Sequence, residues 1–64
     1  MSDIQKTIAA YMSGKTEPGV VDMMAFVGMI EGGEATYADF EAVGGVVLAA
    51  AVAKSMQNME DARN

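Results

Sequence analysis

Apolar side chains recur along this chain in three blocks, separated by short polar connectors that carry glycine. In the first block Ile4, Ile8, Tyr11 and Met12 fall at i, i+4, i+7 and i+8, the stripe of an amphipathic helix. Gln5, Lys6 and Thr7 face away from it. Ser2 with Gln5 forms a capping-box pattern and Asp3 lies in the first turn, while Gly14 supplies the C′ stop. These signals predict a helix over about 3–13. Lys15 to Gly19 is the connector. Pro18 is suited to open the next helix, with Thr16 or Glu17 as its cap and Asp22 near its positive end, which predicts a second helix over about 18–31. There Val20, Met23, Val27 and Ile30 make one stripe, flanked by Met24 and Phe26. Val21 and Met29 point elsewhere, where a single partner helix leaves them uncovered. Gly32-Gly33 ends this block.

Thr36 with Asp39 repeats the capping-box pattern and predicts a third helix from about Tyr37 to Asn58, with a polar tail fraying from about residue 59. Its bulky face carries Phe40, Val43, Val47, Leu48 and Val52. A second face is a seam of small residues at Ala38, Ala42, Gly45, Ala49 and Ala53, a spacing that lets another backbone approach closely. Gly44 and Gly45 each cost about 1 kcal/mol of helix propensity, so either close packing or a kink is expected there, and the pattern leaves the continuity of this helix open. From Ala42 to Ala53 no side chain is charged or hydrogen-bonding. A segment apolar all round must be covered all round. The expected fold is therefore all-α: one three-helix domain over 1–64, assembling into a helical homo-oligomer.

Size sharpens that expectation, because 64 residues lie near the lower limit for a self-sufficient core. With neither cysteine nor histidine, the chain has no disulfide and no ordinary Cys/His zinc site to staple it. Oligomerisation is the remaining staple. The net charge of −5 is unevenly placed: residues 1–21 and 54–64 each sum to zero, and the excess comes from Asp22, Glu31, Glu34, Asp39 and Glu41. Direct binding to nucleic acid or anionic lipid is not expected of such a surface. Glu31, Glu34, Asp39 and Glu41 instead form a candidate acidic edge for a basic partner protein. MSDIQK lacks a basic region followed by an apolar run, and neither long apolar block reaches the length of a membrane span, so a cytoplasmic protein is expected.

Candidate chemistry is mostly exclusion. Ala9 to Thr16, AAYMSGKT, fits a relaxed phosphate-loop pattern with alanine at the first glycine position. That motif needs a strand before it and a long helix after it, whereas here a helix precedes and Pro18 follows. Gly33 to Phe40 resembles the second half of an EF-hand loop, but Gly28, Ile30 and Gly32 fall where three oxygen ligands belong. No nucleophile–base constellation is present, so the chain reads as non-enzymatic, with no cofactor or metal. Seven methionines are the better clue, because methionine adapts to irregular apolar surfaces and is over-used where proteins bind partners. The aromatic residues Tyr11, Phe26, Tyr37 and Phe40 read as core anchors.

The expected function is a small acidic protein-interaction module: an oligomeric adaptor or inhibitor, with a viral accessory role as a compositional analogy. Its candidate residues are the seam on the third helix, the apolar surface of Val21 and Met29, and the acidic edge. One alternative is a structural subunit of a filament, coat or capsid-associated assembly. An acidic amino-terminal half before a Gly/Ala/Val-rich helix resembles filamentous-phage coat subunits, but those need a basic tail and a longer apolar span. The other alternative is a helical hairpin at a membrane interface, for which few cations flank the apolar blocks.

Overall fold

Ser2 opens the first helix as the sequence predicts. In a computed structural model of the protein, which describes residues 1–63, Ser2 Oγ accepts from the Gln5 N–H and Gln5 Oε1 accepts from the Ser2 N–H, both at 3.3 Å. α1 runs Asp3–Met12 and ends as Ser13 and then Gly14 turn to positive φ. α2 spans Val20–Glu31, two residues later than predicted. Neither Thr16 nor Glu17 caps it. Gly19 is the N-cap, and Asp22 reaches back to accept its N–H at 3.0 Å. α3 spans Tyr37–Arg63, and Asp39 Oδ2 accepts the Thr36 N–H at 2.9 Å. The helices pack around one core, and the fold is all-helical among the described residues.

The helical backbone of α3 extends past the expected end near Asn58 to Arg63. The guanidinium of Arg63 reaches Glu31 at 3.1 Å, tying the last turn to the end of α2. The continuity that the sequence leaves open is decided at Gly45, where α3 is broken: its φ of 76° and ψ of −173° leave helical space. That region is essentially restricted to glycine. α3 therefore has two arms, 37–44 and 46–63. At Gly44 the reason for glycine is different: a Cβ there would lie 2.6 Å from Leu48 Cβ and Cδ2. Leu48 is buried, so its side chain crosses directly over the break.

Ile8, Phe26, Met29, Ala35, Phe40, Leu48 and Val52 form the core, with Ile4, Met12, Met23, Ile30, Val43 and Ala49 packed against it. Phe26 lies at its centre. Its ring meets Tyr11 edge-on at 5.7 Å between centroids and Phe40 at 5.1 Å, the arrangement that ring quadrupoles favour. The buried face of α2 differs from the predicted stripe: Asp22, Phe26, Val27 and Met29 are buried, while Val20 and Met24 are exposed. Asp22 explains the shift. Its carboxylate, bound to the Gly19 N–H and to Lys15 Nζ at 2.6 Å, turns inward toward the α1–α2 connector. Val20 and Met24 are carried outward as a consequence. No helix among the described residues is long and apolar enough to cross a membrane.

Candidate interaction surface

The break at Gly45 decides which apolar residues of α3 remain uncovered. Phe40 and Leu48 stay in the core on either side of it, but Val46 and Val47 emerge just after it, Val47 at 76% exposure. A cleft of about 550 Å³ opens here between the carboxy-terminal arm of α3 and the end of α1 with its connector. Met12, Pro18, Met23, Val43, Val47 and Ala51 line its apolar side, and Ser13, Lys15, Thr16 and Glu17 its polar side. A second cleft of about 310 Å³ continues between α2 and the end of α3, lined by Val20, Met23, Met24, Val27, Ser55, Asn58 and Met59. Met23 lines both, so the two clefts adjoin at that side chain as a divided groove.

Val20 is 80% exposed, Met24 69%. These side chains do not serve the core. Exposed aliphatic side chains lining a cleft are a feature of recognition surfaces, and Met12, Met23, Met24 and Met59 give these clefts a thioether lining that adapts to irregular partners. Chain direction follows from the same neighbours. The connector before α2 lines the first cleft with Val43 to Ala51, and Glu31 at the end of α2 pairs with Arg63, so α2 runs parallel to the carboxy-terminal arm of α3. Both helices end at the Met59 end of the groove.

The candidate residues from the sequence are distributed unevenly. Val21 is exposed at the start of α2, but Met29, at 9% exposure, is a core residue. Its place on an outward apolar surface is corrected, because the inward turn of Asp22 brings Phe26 and Met29 to the buried face together. Ala38, Ala42, Gly45 and Ala53 are exposed, whereas Ala49 packs half-buried against the core. The break places Ala38 and Ala42 on one arm and Ala49 and Ala53 on the other, so the seam is not one straight stripe. Along the acidic edge, Glu31 is paired with Arg63. Asp39 is engaged by Thr36 and by Gln5 Nε2 at 3.0 Å, a bond from α1 to α3. Glu34 and Glu41 are exposed and make no ion pair among the described residues.

Two carboxyl groups titrate abnormally. The Lys15 ammonium beside Asp22, followed by the Gly19 N–H, holds its carboxyl below the usual carboxylate range. The Thr36 N–H and the Gln5 amide do the same for Asp39. Hydrogen bonds to the charged form are the dominant cause in both. Lys15, the lysine of the phosphate-loop-like stretch, thus holds a connector to α2. No group of three or more acidic side chains converges to hold a metal ion among the described residues. Val20, Met24, Val47 and Met59 were not among the candidates. Their signal was the excess of large apolar residues over what one core accommodates, but it did not say which would be left outside.

Comparison of the chain with protein-family models, with curated proteins and with solved structures finds no match.

Proposed function

We propose that this protein is a small non-enzymatic interaction module, an adaptor or inhibitor that binds another protein and assembles with copies of itself. The observation that carries the reading is the groove on Met23. A 64-residue chain leaves Val20, Met24 and Val47 mostly exposed around two clefts that share Met23. Soluble domains rarely leave such surfaces without a use. Self-association has separate support in the exposed small residues Ala38, Ala42 and Ala53 and the exposed Val21 and Val46, none of which lines either cleft.

Absolute mass by light scattering, followed over a hundredfold dilution, tests the assembly. The expected result is a mass above the 6.7 kDa of one chain at high concentration, falling on dilution, and lowered by Ala53→Glu or Val46→Glu. A mass of one chain throughout refutes self-association. The binding half of the proposal is tested by Val47→Glu and Met24→Glu, which place charge in the groove without touching the core. Loss of partner binding in both, with helicity and melting retained, is expected. Binding indifferent to both would remove the groove from the function.

A further inference from the structure

Resting on the reading that this chain assembles with copies of itself, we propose that it does so by exchange: α3 straightens at Gly45, and the arm 46–63 of each chain packs into the core of the other. The closed chain already shows what fills each core, because the arm that enters is the same arm. Leu48 and Val52 join the core from beyond the break and Phe40 from before it, while Arg63 reaches Glu31 of α2. Exchange keeps these contacts and moves them between chains. Only the hinge differs, so the dimer requires little new interface.

The hinge is a single residue. Helical backbone stands on both sides of Gly45, and nothing within 4 Å of its Cβ position obstructs a change there; hinges of this kind absorb a large φ/ψ change at a few residues. The bent form also makes demands that a straight helix does not. It leaves Val46 at 69% and Val47 at 76% exposure, and it brings Leu48 to 2.6 Å from where a Cβ on Gly44 would stand. The apolar pattern, by contrast, runs through the break without a shift of register. At about 100° per residue, a straight α3 returns Val47 to within about 20° of Phe40. The sequence therefore suits both conformations. Straightening cannot happen within one chain that keeps its core. Asp39 ties arm 37–44 to Gln5 of α1, so arm 46–63 swings off, and a straight α3 of 27 residues is about 40 Å long against a longest extent of 36 Å for the closed fold. Two opened chains expose the same core and the same arm. Each fills the other, and the pair closes with two-fold symmetry.

The test uses the full chain. Isotope-labelled and unlabelled copies are unfolded in urea and refolded together at high concentration, and isotope-filtered NOEs are recorded. The expected result is NOEs between chains from the Leu48 and Val52 methyls to other core groups, Ile8 and Phe26 among them. Gly45→Ala should tighten the dimer about a hundredfold or more, because in each of two chains alanine is strained in the bent hinge and favoured in the straight helix. D-alanine at that position, in a synthetic chain, should loosen the dimer, since it has the mirror preference. Filtered NOEs confined to surface residues such as Val21 and Val46 would overturn exchange and leave self-association standing. Core NOEs between chains in a dimer that Gly45→Ala loosens and D-alanine tightens would overturn the straight hinge. A single-chain mass for the unaltered protein at every concentration would overturn both exchange and self-association.

Discussion

Gly45 adopts φ 76° and ψ −173° with nothing within 4 Å of where a Cβ would stand, so backbone strain and not space decides what substitution does there. L-alanine would be forced into a region that costs about 1–3 kcal/mol. D-alanine has the mirror preference and fits, while reducing the freedom of the unfolded chain by about 0.4–1 kcal/mol. In a synthetic chain, Gly45→Ala should lower the urea midpoint and D-alanine at the same position should raise it. A continuous helix would reverse both signs, because L-alanine there gains about 1 kcal/mol over glycine. Gly44→Ala is the steric counterpart. Its Cβ meets Leu48 Cβ, which cannot swing aside as a side-chain tip can; a loss of about 1–3 kcal/mol is expected from overpacking, measured by the same denaturation.

At the scale of elements, exposure separates residues that look alike in the sequence. Met24 and Met29 lie on the same helix, yet Met24→Gln is expected to change stability by less than about 0.5 kcal/mol and Met29→Ala to cost about 2–5 kcal/mol. Thermal melts of the two variants check this, and equal costs would mean that α2 is rotated from the orientation described. The same pair marks what could be read beforehand. Three helices, the capping pairs Ser2–Gln5 and Thr36–Asp39, and the stop at Gly14 were legible, because each is local hydrogen-bonding or backbone chemistry. The buried face of α2 was not, because Val20 to Ile30 is apolar nearly all round and periodicity cannot orient such a helix. An ion pair with Lys15, seven residues away, does so. In α3 the bulky face read on a straight-helix wheel places Phe40, Leu48 and Val52 in the core, but the break at Gly45 turns Val47 out of it. The groove inherits both effects, since Val20 and Met24 come from the rotation and Val47 from the break.

For the whole molecule, the two depressed carboxyl groups tie separate parts together: Asp22 binds the α1–α2 connector through Lys15, and Asp39 binds α1 through Gln5. Both fall below the ordinary value of 3.8 in the folded chain. Their contribution to stability is therefore fully present above 3.8 and is lost as pH falls through the lower folded values. Self-association follows a different variable. As pH falls from 7 toward the isoelectric point near 4.2, the net charge of −5 is neutralised while both ties remain, so repulsion between copies fades and the exposed valines are free to associate. Mass should rise toward pH 4.2 before melting temperature drops at lower pH. Salt at pH 7 acts on the same repulsion, because screening weakens it between like copies. Added salt should therefore raise the mass of the protein at pH 7, read by light scattering. A mass indifferent to salt would mean that long-range charge does not oppose assembly.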